Sequence, residues 1–198
     1  MSLAKQHTFL SIEDFLAGEQ VSEARHEYVD GVAYAMAGGS VNHNLISGNV
    51  YRLLGNHLAS RSCTPFTADM LVKTTQTRFR YPDVAVFCGE FSGDETYLDN
   101  PVLLVEVLSR STRQNDKGSK LTEYLALPSL QEYVLIEQDF VEIQVLRRRN
   151  GWRLESYYLG QSIVFESVGA SVSVEAIYLK VNNGDVREWL EKAGAGSS

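Results

Sequence analysis

Cysteine is nearly absent: Cys63 and Cys88 are the only two in 198 residues, and neither sits in a CxxC pair or beside a histidine. That scarcity excludes a zinc site built on paired cysteines and a disulfide framework. Both are expected to be reduced and to pack as small hydrophobes. Long apolar runs are missing too. Nothing in the sequence approaches the roughly 20 residues that cross a bilayer, and the opening MSLAKQHTFLSIEDF lacks the apolar core of a secretory signal. A cytoplasmic protein without membrane contact is therefore expected. Positive charge is in deficit, with 18 Lys and Arg against 25 Asp and Glu and a net charge of -7. This balance excludes a protein whose whole surface coats nucleic acid. It leaves room for a nuclease, because acidic metal ligands bring negative charge themselves and a bound cation reverses the local field. Neither an internal repeat nor a linker divides the chain. Residues 1–192 are expected to form one domain, and 193–198 a disordered tail.

What is present reads as alternating short elements. A helix is predicted from Ser11, an N-cap followed by Glu13 and Asp14 in the first turn, to about Gly18. Asp30-Gly31 marks a tight hairpin turn leading into Val32 to Met36. After Gly38-Gly39-Ser40, the apolar residues Leu45, Ile46, Val50, Leu53, Leu54 and Leu58 recur at helical spacing, which predicts a long amphipathic helix over 42–60. The period then changes, and β-branched and aromatic residues predict strands at 66–74 and 81–88. Residues 102–108, Val-Leu-Leu-Val-Glu-Val-Leu, are apolar on both faces apart from Glu106, the pattern of a strand inside a sheet. A helix over 115–127 is stopped by Pro128, and 132–136 reads as a further central strand. Residues 141–147 and 152–159 read as antiparallel strands, and 186–192 as a final helix. The order predicts an α/β (α+β) domain, a central mixed sheet flanked by helices with added antiparallel strands. It departs from the regular alternation of a doubly wound sheet.

Glu106 carries the first chemical signal. An unpaired carboxylate in a buried strand costs several kcal/mol, so it needs a basic partner, a metal or a proton. Asp83 follows Pro82 at the start of the preceding strand, where proline is tolerated. A hairpin arrangement of the two strands would set Asp83 beside Glu106. Two converging carboxylates repel unless a cation lies between them, and hard divalent cations take oxygen ligands while keeping several waters. Such a site suits metal-assisted phosphodiester hydrolysis. A third piece is Lys120, on the following helix with Asp116 and Tyr124 at i, i+4 and i+8 on one face. Taken alone, that face equally describes a solvated helix with an ordinary ion pair.

Together these residues resemble the PD-(D/E)XK nuclease-like superfamily, with Pro82-Asp83 matching its first half and Glu106-Val107 its second. More specifically, the chain resembles a large bacterial family of unknown function labelled "putative restriction endonuclease". The stretches that carry this are Arg25-His-Glu-Tyr-Val-Asp-Gly31, Tyr81-Pro-Asp-Val-Ala-Val86, Leu104-Val-Glu-Val-Leu-Ser109 with Ser111-Thr-Arg113, and Asp116-Lys-Gly-Ser-Lys-Leu-Thr-Glu-Tyr124. They cover most of the chain from Ser11 to Tyr178. The resemblance implies a restriction-endonuclease-like core and Mg²⁺-dependent hydrolysis of nucleic acid, DNA above all, with Mn²⁺ as a second cation. It implies that Asp83, Glu106 and the Val107 carbonyl hold the metal, that Lys120 orients the attacking water, and that Glu27 assists. The superfamily's lysine normally stands two residues after the glutamate, where this sequence has Leu108. In the resembling family it comes from the next helix, which makes Lys120 its match and Lys117 the rival.

Other residues keep two readings. Glu27 is either the accessory acid or the partner of Arg25 in a surface salt bridge. His43 either faces the cleft or is a satisfied residue at the start of its helix. Arg147-Arg-Arg149 either contacts phosphate at a hairpin tip or forms a solvated turn. Cutting two strands needs two sites, so a homodimer is expected. Two other classes remain open: a binding module for nucleic acid or protein that keeps the nuclease fold without turnover, and a structural homodimer whose carboxylates Lys120 alone neutralises. The acidic charge and the displaced lysine favour the binding module.

Overall fold

The computed structural model describes residues 9–36, 38–109 and 113–195. They form three sheets. The largest has the strand order β11-β10-β9-β8-β6-β3 and is mixed, because β8 (Leu103–Leu108) runs parallel to β9 (Glu132–Glu137) while its other pairs are antiparallel. In this sheet β3 is Cys63–Thr67, β6 Val84–Cys88, β10 Ile143–Arg147 and β11 Leu154–Tyr157. The apolar run of β8 is buried on both faces, as the sequence predicts for a central strand.

Each face of that strand has its own cover. Leu103, Val105 and Val107 point to helix α2 (Val41–Leu58), which buries Ile46, Val50, Leu54 and Leu58 against them. Leu104 and Leu108 join a second core with Tyr124, Leu127, Leu130 and Tyr133. Because side chains alternate along a strand, Glu106 shares this second face.

The other large sheet has the order β2-β1-β5-β4-β7, built from β1 (His26–Val29), β2 (Val32–Ala35), β4 (Leu71–Thr75), β5 (Arg78–Arg80) and β7 (Tyr97–Leu98). Its third core, Phe15, Tyr28, Leu71, Phe79 and Tyr81, lies beneath α1 (Ile12–Val21). Ser11 caps α1 as predicted, accepting from the Asp14 backbone N–H. Asp30 and Gly31 both have positive φ in the β1–β2 turn, the conformation that hairpin turns of this kind require. A small pair, β12 (Ser162–Phe165) and β13 (Ala170–Ser173), precedes the short α5 (Val174–Ile177) and the last helix, α6 (Gly184–Ala195).

Five sequence expectations need correction. The cysteines are not reduced: strand register sets Cys63 directly opposite Cys88, and a disulfide joins them. Twenty-five residues of separation hide that juxtaposition in the sequence. The stretch 66–74 divides between β3 and β4, which belong to different sheets. The helix predicted over 115–127 is broken into α3 (Arg113–Asp116) and α4 (Ser119–Leu125). Gly118 makes that break: its backbone leaves helical geometry, and a Cβ there would come 2.6 Å from the Gln114 carbonyl oxygen. Helix α1 continues past Gly18 to Val21. Helix α6 runs to Ala195, so 193–195 are helical rather than part of a tail, and 196–198 lie outside the described residues. Of the stretches that carry the family resemblance, 111–112 also lie outside them. No helix among the described residues is long and apolar enough to cross a membrane.

Candidate active site

Where the two large sheets meet, a cleft of about 1060 Å³ opens between the β1–β2 hairpin, the N-terminus of α2, the strand ends of β6 and β8, and the α3–α4 pair. Glu27, His43, Asp83, Glu106, Asp116 and Lys120 all line it. The β6–β8 register explains the meeting of the two key acids. Val84 pairs with Val105, so one step further along these antiparallel strands Asp83 comes across from Glu106. Asp83 Oδ2 accepts the Val107 backbone N–H at 2.6 Å, which fixes the carboxylate.

Lys120 is only 6% exposed and gathers three acids. Its Nζ lies 2.8 Å from Glu27 Oε1, 3.2 Å from Glu106 Oε1 and 3.4 Å from Asp116 Oδ1. The break at Gly118 preserves the i,i+4 relation between Asp116 and Lys120 while letting both turn inward. Tyr124 Oη, one turn on, donates to Glu106 Oε1 at 2.9 Å. The predicted trio of Asp83, Glu106 and Lys120 is thus brought together. Lys117, the rival, points elsewhere and pairs with Glu137 at 3.1 Å. Leu108, at the superfamily's usual lysine position, is wholly buried in the second core.

Glu27 belongs to the site and is not a partner of Arg25. Its Oε2 accepts from Arg80 Nη1 at 2.8 Å, and Arg80 is shared with Glu123, whose Oε2 lies 2.8 Å from Arg80 Nη2. Arg25 pairs instead with Asp69 at 3.3 Å. A β-strand residue with a long carboxylate, set beside the inward-facing Arg80, reaches the lysine from the opposite wall.

His43 also faces the cleft. Ser40 caps α2 by accepting the His43 backbone N–H at 3.1 Å, and the ring's Nε2 then lies 3.3 Å from Asp83 Oδ1. From the sequence, a satisfied helix-start histidine is the simpler reading. The signal that points to the cleft is the N-cap itself, which fixes where the first turn faces.

Among the described residues, Glu27, Glu106 and Asp116 meet Lys120, Asp83 meets His43, and Arg80 is divided between Glu27 and Glu123. Burial pushes the Glu106 carboxyl up, Lys120 opposes this, and Asp116, Asp83 and Glu27 add to it, leaving it well above the usual range. Burial presses Lys120 down, but Glu106, Glu27 and Asp116 outweigh that and hold it above its ordinary value. The two shifts together describe a lysine held in its charged form beside a glutamate held toward its protonated form. Burial lowers His43, and Asp83 more than compensates, so it too is raised.

Does a divalent cation fit these residues? Among the described residues, no three His, Cys, Asp or Glu side chains converge as a ligand sphere of their own. Mg²⁺ does not require one, since it is commonly held by one or two carboxylates and keeps its waters. Asp83 and Glu106 side by side, with an open cleft above, fit that donor set.

The three arginines at 147–149 do not form a phosphate site. Arg147 is buried and bonds Glu132 Oε1 at 3.0 Å and the Val164 carbonyl at 2.9 Å. Arg148 caps the Leu127 and Leu130 carbonyls, and Arg149 pairs with Glu166. Their partners come from distant segments that the sequence does not place.

Comparison with known proteins agrees with this geometry. Residues 12–175 match the model of the Uma2 family, described as "Putative restriction endonuclease". An uncharacterized protein of Synechocystis is 36% identical over 173 residues, covering 85% of this chain and 91% of its own. A second uncharacterized Synechocystis protein is 30% identical over 179 residues, covering 87% and 95%. Among solved structures, a protein from Anabaena variabilis described as a "putative nuclease belonging to DUF820" superposes with a TM-score of 0.70. That match has 17% identity and covers 85% of this chain and 97% of the other, a likeness of fold.

Proposed function

The chain belongs to the Uma2 family, and from that premise we propose that it is a metal-dependent endonuclease hydrolysing nucleic-acid phosphodiester bonds, with DNA as the first substrate to test. The observation that carries this reading is Asp83 set across from Glu106, with Lys120 beside them, in an open cleft. Asp83, Glu106 and the Val107 carbonyl would hold Mg²⁺ or Mn²⁺. A divalent cation held there lowers the pKa of its water and neutralises charge on the phosphoryl group.

The chain's own residues divide the remaining work. The Val107 N–H aims the Asp83 carboxylate, and Tyr124 fixes Glu106. Lys120, kept protonated by its acids, serves as a positioned cation that orients water and phosphate rather than as a base. Glu27 holds the ammonium from across the cleft while Arg80 holds Glu27. Cleavage of both strands of a duplex would call for two copies of the site, and we extend the proposal to a homodimer, measurable by light scattering.

A second reading is favoured by two observations, Leu108 at the usual lysine position and the net charge of -7. In it the chain is a binding module for nucleic acid or protein, with the fold kept and turnover lost. One experiment separates the two: single- and double-stranded DNA and RNA incubated with the protein in Mg²⁺, in Mn²⁺ and with chelator, beside Glu106→Gln. Metal-dependent cleavage that disappears in the variant supports the endonuclease. Retained binding without cleavage at any metal concentration supports the module.

A further inference from the structure

We propose, resting on the reading of this cleft as a nucleic-acid site, that its substrate is an unpaired strand of DNA or RNA. Tyr34 stacks on one of that strand's bases, next to the reacting phosphate. Register places the ring. In the β1–β2 ladder Tyr34 stands directly opposite Glu27, so the two side chains share a face. Glu27 reaches from that face to Lys120 at 2.8 Å, and Tyr34 lines the same cleft. Its ring is 53% exposed on an edge strand and joins none of the three cores. It is open to a ligand rather than spent on packing.

Three features of the cleft select an unpaired strand. The first is charge. Among the described residues that line it, the lysines and arginines are Lys120 and Arg80, both at most 6% exposed and both held by carboxylates. Duplex binding draws its affinity from lysines and arginines set against the phosphates, and these two are already engaged. The second is size. A volume of about 1060 Å³ is close to that of a small-molecule pocket, roughly 300–1,000 Å³. It takes a short run of splayed nucleotides, not the paired width of a duplex. The third is depth. Asp83, Glu106 and Lys120 are at most 9% exposed, so the phosphate has to descend between the walls. An unpaired backbone follows that path, whereas a stiff duplex must first be bent or opened.

Affinity then comes from stacking, which every base offers through its π-face. Asn44, Asn115 and Ser119, exposed along the walls, supply donors and acceptors for base edges.

The experiment uses the full chain in Ca²⁺ and in chelator, with labelled single-stranded DNA, single-stranded RNA and a blunt duplex of the same sequence. Fluorescence anisotropy gives the affinities of the wild type, Tyr34→Ala, Tyr34→Phe and Tyr158→Ala, an exposed tyrosine outside the cleft. Single strands are expected to bind more tightly than the duplex. Tyr34→Ala is expected to weaken single-strand binding by about 5- to 140-fold, the range for one base stacked on an aromatic ring. Tyr34→Phe keeps the ring and stays near the wild type, as does Tyr158→Ala. Stacking carries no charge, so the slope of affinity against salt is unchanged in Tyr34→Ala, and a flattened slope would overturn the stacking role. Equal binding of duplex and single strands, or wild-type binding by Tyr34→Ala, overturns the inference. The endonuclease reading is judged separately, by cleavage in Mg²⁺ or Mn²⁺ that Glu106→Gln abolishes. It stands alone if the duplex is bound and cut in that way, and it falls alone if single strands bind through Tyr34 uncut. If the wild type binds and cuts neither form, both are overturned.

Discussion

Two clusters of buried charge flank the central strands, and they differ in how they are closed. At the start of β9, Glu132 accepts from Arg147 through Oε1 and from the Ser167 N–H and hydroxyl through Oε2. Arg147 also engages Glu155, Tyr157 and the Val164 carbonyl. Both residues are at most 2% exposed and their bonding capacity is used within the fold. The other cluster, in which Lys120 meets Glu27, Glu106 and Asp116, opens on a cleft. Buried charge alone therefore does not mark a site, because structural ion pairs are buried as well. What distinguishes the second cluster is that its carboxylates line an open cleft.

The largest expected effect lies in the open cluster. Lys120→Ala is expected to lower cleavage by about 10²–10³-fold, the cost of losing one preorganised electrostatic donor. Steady-state nuclease rates on the folded variant measure it, and wild-type rates would erase the functional side of the contrast. The closed cluster responds in stability instead. Arg147→Ala leaves Glu132 buried without its cation and is expected to destabilise by about 3–5 kcal/mol in urea unfolding. Metal affinity per folded molecule should stay unchanged.

A smaller effect sharpens the comparison through its sign. The Glu106 carboxyl is raised, so the folded state favours its protonated form, and ionising it costs stability. In the metal-free protein that cost grows as pH rises above the ordinary carboxylate range. Glu106→Gln removes it and is expected to stabilise the metal-free protein at neutral pH in urea unfolding. Glu155 in the closed cluster behaves oppositely. Burial raises it, but Tyr157 and Arg147 outweigh burial and hold it low, so its contribution is present above the usual range and is lost as pH falls through its folded value. Glu155→Gln should lower stability in the neutral region, where that contribution is present, and flatten the acid limb of the melting profile.

The site is legible in the sequence where chemistry conflicts with local pattern. Glu106 stands out because it interrupts an apolar strand, and Asp83 because antiparallel neighbours bring it alongside. Lys120 follows from its helix face, even though the helix is broken at Gly118. Other features depend on pairings that no local pattern encodes. Cys63 and Cys88 meet only through the β3–β6 register, and the Arg147–Arg149 partners arrive from β9, β11 and the β12–β13 segment. Glu27 is ambiguous for the same reason, since Arg80 and Lys120 lie 53 and 93 positions away in a chain whose second sheet is assembled from short strands. The mixed central sheet and its flanking helices are readable because β8 is a continuous apolar run and α2 repeats its apolar residues at helical spacing.

The central claim is that Asp83 and Glu106, beside Lys120, hold a divalent cation. Calorimetric titration of the wild type and Asp83→Ala with Mg²⁺ and Mn²⁺ tests it most directly. Saturable binding near one ion per chain, lost in Asp83→Ala, is the result predicted. No binding to the wild type at millimolar metal would contradict it, and the carboxylates would then be held by Lys120 and protons alone.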